Sequence, residues 1–75
     1  MTLNMNNIFI FKTNIQTQED HERVSALLNV YDMIDSWSVD REDIDCVLRV
    51  VSAKVTAIEI IDRINQAGYH CTELE

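Results

Sequence analysis

The stretch Val55-Thr56-Ala57-Ile58-Glu59-Ile60-Ile61-Asp62-Arg63-Ile64-Asn65-Gln66-Ala67-Gly68-Tyr69 decides the fold. Thr56 and, three residues on, Glu59 form the reciprocal capping pair of a helix start, and Val55 and Ile60 stand where a hydrophobic staple closes over it. Ile60, Ile61, Ile64 and Ala67 then recur at helical spacing, so one stripe of the helix is buried. Gly68, the one glycine of the chain, arrives where a helix needs a left-handed stop.

Working outward, Tyr69 to Leu74 reads as a short last strand. Before the helix, Cys46-Val47-Leu48-Arg49-Val50-Val51 is preceded, across the polar Asp40-Arg41-Glu42-Asp43, by Ile34, Trp37 and Val39. The two runs form a hairpin. Without Asn-Gly at the turn, a loop of four or five residues built on a type I turn is expected. Further back, Asn7 to Ile15 carries Ile8, Phe9, Ile10 and Phe11 in a row, the composition of a central, buried strand. A first helix is expected from about Gln18 to Val30, with Val24, Leu27, Leu28 and Tyr31 on its inner face. Thr17 is its N-cap, Asp20 a shortened capping-box partner, and Glu19 and Asp20 suit the positive end of the helix.

The order is therefore β-α-β-β-α-β. With right-handed crossovers this predicts an α+β, ferredoxin-like sandwich, a four-stranded antiparallel sheet with both helices on one face. Residues 1–75 make one small domain, residues 1–6 being a flexible N-terminal segment.

The chain has 75 residues, 13 acidic and 6 basic, a formal charge of −7. A domain of this size buries roughly 60% of its unfolded surface, too little for a deep, walled active site. Negative charge argues against nucleic-acid or anionic-membrane partners, which need clustered Lys and Arg. No apolar run is long enough to span a bilayer, and Met1 to Asn7 lacks the basic and apolar regions of a secretory signal, so a cytoplasmic protein is expected. Cys46 and Cys71 lie 25 positions apart with no Cys-x-x-Cys, and read as buried free thiols. The charge is uneven: residues 16–45 hold nine acids and only Arg23 and Arg41, so the whole net charge lies there.

Against that order the sequence resembles the heavy-metal-associated domain of copper chaperones and metal-pumping ATPases, over about residues 8–74. The resemblance rests on Ile34-x-x-Trp37-x-Val39-Asp40, which fits the family's second-strand pattern, and on the closing tripeptide Ala67-Gly68-Tyr69. The helix-one register, Arg23-Val24 then Leu28, places Ile15 on the family methionine, and Thr17 and Asp20 on the two metal-binding cysteines. In the family, two thiolates at a helix start hold a soft ion such as Cu(I). A hydroxyl and a single carboxylate are hard donors and make no tight site for Cu(I) or Zn(II). The resemblance thus implies a domain that has lost its soft-metal site, a capping interaction standing in its place.

No cofactor is expected, and no enzyme: acylphosphatases share the topology but need an arginine in a Gly-rich loop, where this chain has Lys12-Thr13-Asn14-Ile15-Gln16. The expected role is a protein-interaction or regulatory module, its acidic rim of Glu19, Asp20, Glu22 and Asp43, with Trp37 and Tyr69, meeting a basic protein surface. Self-association through the open sheet face is the second possibility, with Trp37, Phe9 or Phe11, Val47 and Val51 as its apolar patch. The alternative function is non-standard heavy-metal binding through Cys71, His70 or Cys46. His21 is expected to pack against the sheet edge, and Tyr69 to cover the loop beside the helix start.

Overall fold

The computed structural model describes residues 7–74. The flexible segment expected over residues 1–6 lies outside the described residues. The elements are β1 (Asn7–Thr13), α1 (Gln18–Asn29), β2 (Ser36–Asp40), β3 (Val47–Ser52), α2 (Ala57–Gln66) and β4 (Cys71–Glu73). The strands form one sheet in the order β2-β3-β1-β4, every neighbouring pair antiparallel. Among the described residues no helix is long and apolar enough to cross a membrane.

Both helices begin as their sequences dictate. Thr17 and Thr56 are N-caps with complete capping boxes, the partner carboxylates being Asp20 and Glu59. A threonine N-cap contributes about 1 kcal/mol to helix stability. At the far end of α2, the Gly68 amide donates to the Asn65 carbonyl and the Tyr69 amide reaches back to Ile64 at 3.2 Å. This is the Schellman pattern, with Gly68 at φ +96. It also explains why β4 starts two residues later than expected. The Tyr69 amide closes the helix and the His70 amide donates to the Asn14 side chain, so neither pairs with β1.

The pleat assigns the side chains. Phe9 and Phe11 of β1 stand opposite Val50 and Leu48 of β3, which in turn oppose Trp37 and Val39 of β2. These residues share the helix-bearing face and join Val24, Leu28, Ile60 and Ile64 in and around the core. The placement of Trp37, Phe9 and Phe11 on the open face is therefore corrected: successive strand residues alternate sides, and with Phe11 fully buried its odd-numbered neighbours turn inward too. Trp37 lies beneath α1, its indole 5.3 Å from the His21 ring and its Nε1 donating to Asn29 Oδ1. His21 packs at the sheet edge as expected. The open face carries Ile8, Ile10 and Lys12 from β1 and Val47, Arg49 and Val51 from β3.

The hairpin loop is also longer than expected. Arg41 to Cys46 make six linking residues in two successive turns, in which the Asp40 carboxylate accepts from the Glu42 amide and the Asp43 carboxylate from the Asp45 amide. Cys46 then turns the chain into β3 at φ 46, unusual for a residue with a side chain. At the opposite end, the buried Ser52 hydroxyl donates to the Met33 carbonyl and accepts from the Lys54 and Val55 amides, tying the segment before β2 to the start of α2.

A Cβ at Gly68 would meet nothing within 4 Å, so its replacement tests backbone conformation alone. Gly68→Ala is expected to lower unfolding free energy by about 1 kcal/mol, and Gly68→Asn by less, in urea titrations.

Candidate functional site

Four segments meet at one rim of the sandwich: the end of β1, the start of α1, the hairpin loop and the approach to β4. Thr13 holds the first and third together. Its amide donates to the Asp45 carbonyl at 3.0 Å, and its hydroxyl to the Cys46 carbonyl at 2.6 Å. The same hydroxyl accepts the Ile15 amide, turning the chain toward α1. Arg41 completes the tie, donating from the loop to the Gln18 side chain at 2.9 Å.

Asp20 is the centre of this rim. Its Oδ2 accepts the amides of Gln16 and Thr17, each at 3.2 Å, while the Thr17 hydroxyl accepts the Asp20 amide at 3.0 Å. Its Oδ1 accepts the Tyr69 hydroxyl at 2.9 Å, from a residue 49 positions along the chain. One carboxylate thus takes three donors from two segments. Foremost the Tyr69 hydroxyl, and after it the Gln16 amide, hold the Asp20 carboxyl below its ordinary 3.8, because each donor favours the charged form.

This geometry fixes the chemistry open to Thr17 and Asp20. Both oxygens of the carboxylate and the threonine oxygen already accept hydrogen bonds within the chain. A soft ion would find no sulfur there, only oxygens already engaged in hydrogen bonds. Among the described residues, no three His, Cys, Asp or Glu side chains converge on a point suited to an ion.

The other sequence candidates are dispersed. Cys71 sits in the core opposite Thr13, and burial pushes its thiol up to about 12, against the thiolate that soft ions need. His70, one residue earlier, is exposed. Cys46 is buried under the hairpin loop, across β1 from Cys71, and both cysteines are free thiols. Glu19 pairs with Arg23 at 3.5 Å on the exposed face of α1, and Glu22 accepts from Gln18. Asp43 keeps its loop turn. Tyr69 is almost wholly buried and Trp37 half-buried under α1, so the exposed part of the expected partner surface consists of its carboxylates.

Two features escaped the sequence reading. The Tyr69 to Asp20 bond joins positions that no local pattern connects. Ile44, at the tip of the loop, is 95% exposed between Asp43 and Asp45; its place within a polar run was a signal, since nothing local could cover it.

No protein-family model matches the chain. No curated protein matches it either. Several solved structures share its architecture, two of which are these. Oxidized MerP from Ralstonia metallidurans CH34 superposes with a TM-score of 0.78 at 12% identity, over 93% of this chain and 99% of that one. A structure described as "Crosstalk between Cu(I) and Zn(II) homeostasis" superposes with a TM-score of 0.77 at 14% identity, over 91% and 99%. At these identities the likeness is one of fold.

Because the Asp20 carboxyl is depressed in the folded state, its stabilising effect is present above the unfolded carboxylate range and is lost as pH falls through the folded value. Asp20→Asn is therefore expected to be less stable than the parent at neutral pH and to lose less stability on acidification, measured by urea unfolding from pH 7 downward. Tyr69→Phe should return the Asp20 carboxyl toward its ordinary value in a carbon-detected NMR titration.

Proposed function

We propose that the chain is a heavy-metal-associated-type domain that has exchanged its soft-metal site for a self-satisfied helix start, and that it works as a protein-interaction or regulatory module through its acidic rim. The observation that carries this reading is the Asp20 carboxylate with its three internal donors. In the family it resembles, thiolates occupy this place and leave their lone pairs to an ion. The fold likeness to MerP supports the lineage. The oxygen donors at Thr17 and Asp20, and the high thiol pKa of Cys71, support the loss of the cargo.

The interaction half of the proposal is supported by charge. Glu19, Glu22 and Asp43 are exposed around the start of α1 and the hairpin loop. Such a rim attracts a basic partner from a distance and speeds encounter, an effect that salt screens within about 8 Å at physiological ionic strength.

In competition with a strong chelator under reducing conditions, the parent chain is expected to leave Cu(I) with the chelator. Thr17→Cys combined with Asp20→Cys should capture it, because the cysteines would stand three positions apart at a helix start. Picomolar or tighter Cu(I) binding by the parent refutes the proposal. Retention of a basic partner from a cell extract should fall with rising salt and in a Glu19→Lys/Glu22→Lys variant, and binding indifferent to both removes the acidic rim from the account.

A further inference from the structure

The two edges of the sheet differ. β4 is three residues long, and so short an edge strand offers little to pair with. β2 is the opposite edge, five residues from Ser36 to Asp40. Its inner side is laddered to β3, and among the described residues no backbone hydrogen bond from outside the sheet reaches it. The run Ser36-Trp37-Ser38-Val39-Asp40 holds neither the lysine nor the proline with which edges are commonly closed to a further strand. Successive strand residues turn their amides and carbonyls to opposite sides, so β2 carries a row of unpaired donors and acceptors outward.

Two observations say what fits along it. The first is a cavity of about 300 Å³ between the last turn of α1, at Leu28 and Asn29, and Asp35, Ser36 and Trp37 at the start of β2. Asp35 is exposed and forms no ion pair among the described residues. The last turn of α1 has no basic residue to offset its terminal carbonyls. The Tyr31 ring in the same wall already holds the Arg63 guanidinium at 4.8 Å, so the aromatic surface left for a ligand is Trp37. A carboxylate, carbonyl dipoles and an indole together suit a Lys or Arg side chain. The second observation is the charge along the edge. Asp32 and Asp35 precede β2, Asp40 ends it, and Glu42 and Asp43 follow, all exposed. The one base among them, Arg41, is drawn to Gln18. Such an edge repels a second copy of this acidic chain and attracts a strand that carries cations.

We propose that β2 is the docking edge for an extended basic segment of another protein, which adds to the sheet as a fifth strand and places a Lys or Arg side chain in the cavity beside Asp35. Main-chain bonds to the outer side of β2 supply affinity, and side chains alternating between the helix side and the open side supply specificity. Five residues span roughly 17 Å, which sets the length of the segment. The inference rests on the proposed reading of a basic protein partner and adds where, and in what conformation, that partner binds.

The probe is the acetylated, amidated peptide Lys-Val-Lys-Val-Lys-Val, titrated into the isotope-labelled full chain and followed by NMR. Shifts should concentrate on Asn29 and on Asp35 to Asp40, and alternate β2 amides should slow in hydrogen exchange. Methylating the backbone nitrogens of all the lysines or of all the valines separates pairing from charge attraction. One set should abolish binding and the other leave it, because only every second amide of an added strand faces β2. Asp35→Lys should weaken binding about fivefold with unfolding unchanged, since this exposed side chain makes no hydrogen bond or ion pair among the described residues. No binding at millimolar peptide, an unmoved β2, equal behaviour of the two methylated peptides, or undiminished binding by Asp35→Lys overturns the proposal. The Glu19→Lys/Glu22→Lys variant should keep the pairing along β2. Shifts confined to Glu19 and Glu22 would overturn the edge and leave the acidic rim standing, so the two readings fail separately.

Discussion

One carboxylate organises the rim where four segments of the chain meet. Asp20 accepts from the amides of Gln16 and Thr17 on one oxygen and from the Tyr69 hydroxyl on the other. It thereby joins the turn after β1, the first turn of α1 and the segment leading to β4. Hydrogen bonds to an ionised acceptor are stronger than those between neutral groups, and the helix start favours the negative charge. The same bonds engage both carboxylate oxygens within the chain. Lone pairs that hold the backbone are not offered elsewhere.

The second constraint is the two-residue period of the strands. It divides the sheet into a side that supplies the core, through Phe11, Leu48 and Val50, and a side that carries Ile8, Ile10, Val47, Arg49 and Val51 toward the outside. Once Phe11 is buried, no choice remains for its neighbours. Trp37 follows the same logic on β2, where α1 holds its indole by contact with the tilted His21 ring and a hydrogen bond to Asn29. The apolar character left on the open face is thus aliphatic and interrupted by the cations Lys12 and Arg49.

The parts legible in the sequence are those whose causes are local. Thr17 with Asp20, Thr56 with Glu59, and Gly68 after Ala67 each act within a few residues, and both helices begin where those signals stand. The order of elements then limits the sheet to few topologies, and the βαββαβ arrangement is the one observed. The parts that were not legible have distant causes. Ile8 to Phe11 is apolar throughout, so the run carries no alternation to say which of its residues turn inward. The length of β4 depends on the Asn14 side chain taking the His70 amide, 56 positions away. The hairpin loop ends on a left-handed Cys46, a conformation announced by neither glycine nor asparagine. The candidate site shows both cases at once: its capping box is read from four consecutive residues, and its Tyr69 bond from none of them.

The burial of Cys71 among aliphatic neighbours has a consequence for the conditions the protein tolerates. A thiol held to about 12 stays protonated across cellular pH, so it is a poor target for peroxides, electrophiles and disulfide exchange. Where a dithiol site would change occupancy with the glutathione balance of its surroundings, a rim built on oxygen keeps one state in reducing and oxidising media alike. Cys71 is in that sense redox-silent, shielded by the core in which it sits.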